Sequence, residues 1–424
     1  MPRRHTKTIF ALSIITVLCV AALVPYAVDR LVQRIGGASN YAPEDAEWLL
    51  SESAQALVTK AYKGLAKNSP VIDHHVHAIS LGQRDGPEFS NRSYVNPEML
   101  SWRFPRTHLR GLVYLNAAGI SDELRADDLY LSRLLRLVRS LPKKQRLKLV
   151  AVDQRYNREG EAQPEQTPFY VDNEYVWHLS QQHPDTLSAV ISVHPYRKDA
   201  IETLEKWAKR GVKTVKWLPN LQDIDPADER LEVYYQTLID NNLTLLTHTG
   251  DDQGLSGGNP EYGNPLRYRR ALQQGVRIIM AHCASTGMFP DPDDSEAEPR
   301  PGYEWFLQLL KDEAYAKNLY GDISGLTHRN RDPAALTKIL QSPQIFDHLL
   351  YGSDYPLPAI NAVVDLKMLE EAGFIKAEQV PDLQEIYNVN PLLFDFVLKR
   401  SVRLPQTDLG LPDAVFTREI DRKK

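Results

Sequence analysis

The most chemically distinctive stretch of the sequence is VIDHHVHAIS, residues 71–80, which places an aspartate and three histidines in five consecutive positions. Side chains of a β-strand alternate between its two faces, so Asp73, His75 and His77 share one face and His74 points to the other. We expect His75 and His77 to converge on a common site, with Asp73 supporting them from one layer below. His74 is expected to lie outside that site.

Further polar residues end apolar runs later in the chain: Lys216, His248, His282 and Asp354. Neutral imidazoles combined with a carboxylate form a ligand set for a divalent ion, and they suit zinc as well as iron or manganese. If the runs are neighbouring strands of one sheet, these side chains meet at the same end of it. The sequence therefore predicts a divalent metal site.

The elements that must position these residues are short, mostly continuous apolar runs. They lie at residues 71–76, 147–152, 187–192, 211–216, 243–248, 276–282, 318–324 and 348–354. Such runs are typical of parallel strands buried on both faces, and helix start and stop signals separate several of them. Eight strands alternating with helices predict an α/β protein with a (β/α)8 TIM-type barrel, whose functional residues collect at the carboxyl ends of the strands. An open doubly wound sheet is the alternative, but the chain has no G-x-G-x-x-G turn.

The domain organisation follows from these runs and from the segments around them. We divide the chain into an N-terminal segment, a linker with a helix, a barrel and a C-terminal tail, at residues 1–30, 31–70, 71–400 and 401–424. Residues 78–146 are too many for one crossover helix, and we expect them to form a helical insertion after the first strand.

The N-terminal segment has the features of a membrane anchor. Arg3, Arg4 and Lys7 precede an uncharged, mostly apolar run at residues 9–28. A helix of this length is about as long as the hydrocarbon core of a bilayer is thick. The charge placement predicts a single-pass anchor with the catalytic domain outside the cytoplasm, which is the periplasm if the source is bacterial. A cleaved signal peptide is the alternative.

Composition limits the possible classes of function. The chain is 42% hydrophobic and 25% charged, which is typical of a globular protein, and its net charge of −5 includes no basic stripe that would favour nucleic-acid binding. Only Cys283 lies outside the apolar N-terminal run. An intramolecular disulfide within the globular part and a cysteine-rich zinc site are thus excluded.

Taken in order, the motifs resemble the metal-dependent amidohydrolase superfamily. The nearest likeness is to its amidohydrolase-related branch, which includes enzymes like aminocarboxymuconate semialdehyde decarboxylase. The motifs are Asp-x-His-x-His at residues 73–77, LLTHTG around His248, AHCAS around His282 and YGSDYP around Asp354. The likeness covers residues 71–400 apart from the insertion.

The resemblance implies roles for these residues. His75, His77, His248 and Asp354 would be the ligands of one divalent ion, for which Zn2+ is the expected metal, and Asp354 would also act as general base. His282 would orient the attacking water or polarise the scissile carbonyl. The implied reaction is hydrolysis of a C–N or C–O bond in an amide, lactone or ester. Non-oxidative decarboxylation on the same site is the alternative, and a non-catalytic binding protein is a third hypothesis.

Lys216 leaves the number of metal ions open. In binuclear members of the superfamily a lysine at this strand is carboxylated and bridges two ions, with the histidine equivalent to His282 on the second. The surrounding VKWLPN favours the mononuclear arrangement, in which Lys216 could instead contact the small-molecule substrate.

Other substrate contacts are expected on loops at the same end of the barrel. The predicted contacts are His194, Arg197, Trp217 and Arg329, with Asn220, Asp251, His328 and Tyr355 on the same rim. Arginines there would suit a substrate that carries a carboxylate.

Overall fold

A computed structural model of the protein describes residues 27–36, 42–86, 89–251, 258–294 and 296–420. Eight strands form one parallel sheet in chain order: β1 (Val71–His77), β2 (Gln145–Val150), β3 (Leu187–Ser192), β4 (Thr214–Trp217), β5 (Thr244–Thr247), β6 (Arg277–Met280), β7 (Leu319–Asp322) and β8 (Leu349–Leu350). Two antiparallel pairs of two-residue strands join Tyr94–Val95 to Phe169–Tyr170 and Met288–Phe289 to Arg300–Pro301.

The sheet closes through the segment that follows β8. The amide of His77 donates to the carbonyl of Tyr355 at 2.8 Å, and the amide of Asp354 donates to the carbonyl of His75 at 2.7 Å. These bonds join the last strand to the first, so the sheet is a nearly closed barrel. The predicted TIM-like architecture of eight parallel strands is confirmed, and the open doubly wound alternative is wrong.

Helices separate the strands. Residues 27–36 are helical. The α-helices that follow are α1 (Ala46–Leu49), α2 (Glu52–Tyr62), α3 (Pro105–Ala117), α4 (Ala126–Arg139), α5 (Asn173–Gln182), α6 (Ala200–Lys209), α7 (Pro219–Gln222), α8 (Glu232–Asp240), α9 (Arg269–Gln274), α10 (Gly302–Leu309), α11 (Glu313–Ala316), α12 (Pro333–Leu340), α13 (Leu366–Glu371), α14 (Gln379–Val389), α15 (Pro391–Ser401) and α16 (Asp413–Thr417).

The segment between β1 and β2 contains α3 and α4, and α4 fixes the loop that leaves β1. The hydroxyl of Tyr130 donates to the carbonyl of His77 at 2.5 Å. The carboxylate of Asp127 accepts the backbone amides of Leu81, Gln83 and Arg84 at 2.8, 3.0 and 2.9 Å. Since these amides have no partner within a strand or helix, the buried carboxylate supplies their hydrogen bonds and holds the loop beside the end of β1.

An apolar layer fills the barrel interior below the functional end. It consists of Val150, Val190, Leu246, Ile279, Ala281 and Leu350, and Ile420 packs against it from the C-terminal segment. In the same segment, Glu419 forms an ion pair with Lys148 of β2 at 3.1 Å. Glu419 and Ile420, which follow α16, therefore pack as part of the barrel.

No helix within the described ranges is both long enough and apolar enough to cross a bilayer. The anchor predicted at residues 9–28 lies outside the described residues, except for its last two positions.

Candidate active site

Side chains from the ends of β1, β6 and β8 meet at the carboxyl end of the barrel. The Nε2 atoms of His75 and His77 lie 3.2 Å apart. Both face Oδ1 of Asp354, at 3.5 and 3.2 Å, and Nε2 of His282 lies 3.8 Å from Asp354 Oδ2. The structure thus brings together four residues that the sequence singles out.

The donor set of this cluster fits a divalent metal ion. His75, His77 and Asp354 each offer one ligand atom within 4.8 Å of the others. Two imidazoles and one carboxylate are a ligand set used for zinc and for other transition ions. His77 and Asp354 line a cavity, whereas His75 is fully buried beneath it. An ion held by these residues would face the cavity on one side.

Asp322, at the end of β7, orients His75. Its Oδ2 lies 3.0 Å from Nδ1 of His75, while its Oδ1 accepts the amides of His282 and Ser324, each at 3.0 Å. Burial alone would raise the pKa of Asp322, but the adjacent His75 outweighs it and holds that pKa well below the ordinary value. An ionised carboxylate can only accept, so Nδ1 of His75 donates to Asp322 and Nε2 of the ring faces the cluster.

Asp73 does not hold an imidazole, contrary to the prediction. Its Oδ1 accepts the amides of His75 and Ser353 at 3.1 and 2.9 Å, which ties β1 to the loop after β8. Burial raises the pKa of Asp73 to about 7. The sequence analysis did not single out Asp322, which is the residue that supports the imidazole of His75. Its position could have indicated this role, because Asp322 is the one acidic residue in the apolar run LYGD.

Ser324 and an unusual backbone conformation position His282. Nδ1 of His282 lies 3.1 Å from the Ser324 carbonyl and 2.8 Å from its Oγ, which directs Nε2 towards Asp354. His282 and Asp354 both have positive φ, 59° and 61°. Such a conformation is uncommon outside glycine and clusters at functional sites.

The protonation states of the cluster suit metal ligation. Burial lowers the pKa of His77 and brings that of His282 well below its ordinary value, so both rings are neutral at neutral pH. Burial acts to raise the pKa of Asp354, but the imidazoles of His75, His282 and His77 outweigh it and hold the pKa well below the ordinary value. Neutral imidazole and ionised carboxylate are the forms that bind a cation.

His248 and Lys216 lie at the edge of the cluster. The ring centre of His248 is 5.2 Å from that of His282, and His248 lines the cavity. Lys216 is fully buried, and its Nζ lies 2.8 Å from Nε2 of His75. Within the described part of the chain, Lys216 is not among the cavity-lining residues. The structure therefore places Lys216 against a ligand candidate and away from the space for substrate.

Three predicted substrate contacts belong to the barrel wall. Trp217 Nε1 donates to a backbone carbonyl at 3.0 Å, and Nε2 of His194 lies 2.8 Å from the carbonyl of Gln222. Arg197 forms ion pairs with two aspartates at 3.1 and 2.8 Å. None of the three lines the cavity in the described structure. Their polar atoms are used in internal contacts, and their role as substrate contacts stays a prediction.

A cavity of about 700 Å³ lies above the cluster. His77, His248, His282 and Asp354 form its polar floor. Much of its wall is apolar, and the segment between β1 and β2 contributes Val95, Met99, Leu100, Val113 and Leu115. Arg329, another predicted substrate contact, does line the cavity, with its side chain 67% exposed.

We expect Asp322→Asn to weaken metal binding by about 10- to 100-fold, because asparagine no longer provides a charged acceptor for His75 Nδ1. Competition with a chelator of known affinity measures the change. The matched control is Asp73→Asn, which is expected to bind metal as the wild type does, since Asp73 accepts from the amides of His75 and Ser353 and from the Ser353 side chain rather than from an imidazole of the cluster. Equal metal affinity in Asp322→Asn and the wild type would contradict the assigned role.

Comparison with solved structures finds matches with TM-scores near 0.4. A protein from Pseudomonas putida, provisionally assigned as a 2-pyrone-4,6-dicarboxylic acid hydrolase, has 16% identity, coverage of 78% of this chain and 98% of its own, and a TM-score of 0.41. The 5-carboxyvanillate decarboxylase of Sphingomonas paucimobilis has 12% identity, coverage of 78% and 97%, and a TM-score of 0.41. The 5-carboxyvanillate decarboxylase of Novosphingobium aromaticivorans, solved with bound manganese, has 14% identity and a TM-score of 0.40. The match covers 78% of this chain and 94% of the decarboxylase. Similarity at this level does not decide the reaction.

Comparison with sequences gives a family. Among proteins of curated function, no significant match is found. The amidohydrolase family model Amidohydro_2 matches residues 72–361. This match covers more than half of the chain and includes the strand ends that carry the histidine and aspartate cluster. The resemblance predicted from the motifs is therefore confirmed, and the chain belongs to the amidohydrolase family.

Proposed function

We propose that the protein is a metal-dependent hydrolase that cleaves a C–N or C–O bond in an amide, lactone or ester. The observation that carries the proposal is the cluster of His75, His77 and Asp354 at the floor of a largely apolar cavity. The proposed metal is one divalent ion, with Zn2+ favoured, and iron and manganese also suit these ligands.

Each residue of the cluster has its own role in the proposed reaction. A divalent ion held by His75, His77 and Asp354, with His248 beside them, would supply Lewis-acid activation of water and of the scissile carbonyl. Asp354 accepts a proton from the attacking water as the water oxygen bonds to the carbonyl carbon. The same proton passes from Asp354 to the leaving nitrogen or oxygen as the scissile bond breaks. His282 Nε2, which lies 3.8 Å from Asp354 Oδ2, accepts a hydrogen bond from the attacking water and holds it in place.

The cavity wall supports this chemistry by excluding bulk water. Leu218 and Leu221 after β4, together with Leu357 and Ile360 after β8, face the apolar side chains of the segment between β1 and β2. In such surroundings a carboxylate and an ion interact more strongly than they do in water.

Turnover in water labelled with heavy oxygen tests the reaction. We expect the purified full-length protein to hydrolyse some member of a panel of esters, lactones and amides, with heavy oxygen entering the new carboxyl group. Release of carbon dioxide from a carboxylate substrate, without incorporation of heavy oxygen, would contradict hydrolysis and identify the decarboxylase alternative.

We favour one metal ion per chain. Lys216 lies beside His75, and its carboxylation would provide a bridge to a second ion, with His282 as a further ligand. Two equivalents of metal per chain would contradict the mononuclear arrangement.

We also propose that residues 9–28 anchor the protein in a membrane, with the barrel outside the cytoplasm. Support comes from the uncharged apolar run and from the three cations before it. Recovery of the full-length protein in the membrane fraction, with the barrel open to added protease in intact cells or spheroplasts, is the expected result. Recovery in the soluble cytoplasmic fraction would contradict it.

A further inference from the structure

Two exposed aromatic side chains lie in the segment that leads into α3. Trp102 is 58% exposed and Phe104 is 36% exposed. Neither ring lines the cavity in the described structure, so the proposed reaction gives neither of them a role. Aromatic rings of this kind, and tryptophan above all, are enriched where proteins meet the headgroup region of a bilayer, because the ring combines an apolar body with a polar edge.

Exposed arginines alternate with these aromatic residues. Arg103 and Arg106 are both exposed, and the guanidinium carbon of Arg103 lies 5.8 Å from the ring centre of Phe104. Within the described ranges, neither guanidinium is in an ion pair. Residues 99–121 contain no acidic residue, although the whole chain has a net charge of −5. We call the patch formed by Trp102, Arg103, Phe104 and Arg106 the aromatic–basic surface.

The aromatic–basic surface is attached to the cavity wall. The ring of Trp102 packs edge-on against that of His108, with the ring centres 4.4 Å apart. His108 is buried, and its Nδ1 lies 3.2 Å from the carbonyl of Met99, a residue that lines the cavity. Arg110 also lines the cavity and is exposed, so it lies at the cavity mouth. The aromatic–basic surface therefore borders this mouth.

The apolar run that we propose as an anchor ends beside the same helix, α3. Its last two positions belong to the helix at residues 27–36. In that helix, the carbonyl of Arg34 accepts a hydrogen bond from Nδ2 of Asn361 at 3.2 Å. A Cβ atom placed on Gly36 would lie 3.1 Å from Cβ of Asn116, which is in the last turn of α3. A bilayer that holds the run is therefore close to the helix that follows the aromatic–basic surface.

We propose that the aromatic–basic surface binds an anionic phospholipid bilayer, with Trp102 and Phe104 in the headgroup region and Arg103 and Arg106 against lipid phosphates. Charge complementarity favours this partner, because a cation near an anionic leaflet is attracted to it and the apolar stem of arginine can lie along the lipid. Binding in this way brings the mouth of the largely apolar cavity to the lipid. The proposal goes beyond hydrolysis, and it draws on the proposed anchor only in the choice of a bilayer as the partner.

Quenching of tryptophan fluorescence by brominated phospholipid tests the surface. The chain has six tryptophans, and the apolar run at residues 9–28 contains none of them. Trp48, which is 85% exposed, and Trp102 are the two exposed tryptophans. Bromine on the acyl chains quenches a tryptophan that reaches the lipid. The signal therefore reports on the barrel whether or not the apolar run spans the membrane, and it requires no turnover.

The purified full-length protein in detergent is mixed with lipid, and the detergent is then removed. With phosphatidylglycerol and brominated phosphatidylcholine in equal parts, we expect the wild type to be quenched. Trp102→Phe is expected to lose this quenching, because phenylalanine keeps the apolar ring but lacks indole fluorescence. Trp48→Phe is the matched control and should keep it. Trp48 lies near Glu44, whose ion pair with Arg136 places it by the C-terminal end of α4, away from the cavity.

Further variants separate the contributions of charge and of apolar area. Arg103→Gln and Arg106→Gln are each expected to lower the population of the quenched state by about 5-fold, which is the attraction of one cation to an anionic leaflet. High salt should act in the same direction, because it screens exposed charges. Phe104→Ser is expected to weaken quenching at every salt concentration. The control is Lys311→Gln, which should change nothing, because Lys311 is exposed between α10 and the start of β7, at the opposite end of the barrel.

Vesicle flotation distinguishes failure of the surface from failure of the anchor. Flotation of the wild type with the vesicles, without quenching of Trp102, would agree with the anchor and overturn the surface. Quenching that is equal in vesicles with and without phosphatidylglycerol would also overturn it.

Quenching that persists in Trp102→Phe would overturn the proposal too, because another tryptophan would then reach the lipid. If this variant does not fold by circular dichroism, Trp102→Tyr replaces it. Binding of an oligonucleotide that Arg103→Gln and Arg106→Gln abolish, in the absence of quenching by lipid, would assign the surface to a nucleic acid and overturn the proposal.

Discussion

Replacing Asp354 with asparagine is expected to lower the rate of hydrolysis by about 100- to 10,000-fold, the range in which a positioned general base contributes. Within the described part of the chain, Asp354 is the one carboxylate that faces His75, His77 and His282 together. Asparagine keeps the shape of the side chain but cannot accept the proton of water and return it to the leaving group. Steady-state kinetics on a substrate found in the hydrolase panel measures the change.

The control for this variant is His74→Gln, on the same strand. Nε2 of His74 lies 2.9 Å from the carbonyl of Arg418, on the side away from the cluster, and a glutamine amide can donate the same bond. We expect His74→Gln to keep wild-type activity and metal content. Wild-type activity in Asp354→Asn would show that another group is the base.

Loss of bound metal in His77→Ala is the second large effect that we expect. Nε2 of His77 lies 3.2 Å from both His75 Nε2 and Asp354 Oδ1. Of the three clustered ligand candidates, the variant keeps only His75 and Asp354. Metal analysis after dialysis is expected to give background levels for His77→Ala and full loading for His74→Gln. Full loading of His77→Ala would mean that the ion is bound elsewhere.

His75→Ala should lose the ion too, and it should also destabilise the fold. The variant leaves Asp322 as a buried carboxylate without its imidazole partner, which costs about 3–5 kcal/mol in comparable buried pairs. A lower melting temperature for His75→Ala than for His77→Ala distinguishes the two positions, and thermal unfolding followed by circular dichroism measures it.

The barrel could be predicted from the sequence because strands that are buried on both faces are continuous apolar runs. β3 was predicted at the residues where it lies, Leu187–Ser192. The largest error is in β8, predicted at 348–354 but observed only at Leu349–Leu350. Because Asp354 has a positive φ, it does not have the strand conformation. A pattern of apolar residues does not predict a backbone dihedral angle, so the sequence could not indicate where this strand ends.

The candidate site was predictable only in part. His75, His77, His282 and Asp354 meet because parallel strands end at one edge, which is a property of the fold. Which side chains at that edge turn inward depends on contacts between distant residues. Arg197 turns to Asp153, which lies 44 residues away in sequence, and Asp322 is 247 residues from the His75 ring that it orients. Spacing within a single strand does not reveal such partners.

Metal analysis of the purified full-length protein, combined with chelation and reactivation, tests the central claim most directly. We predict one equivalent of a divalent transition ion per chain, loss of activity when a chelator removes it, and recovery of activity when Zn2+ or Mn2+ is added back. A protein that carries no transition metal, and whose activity does not change with chelation or with added metal, would contradict the account.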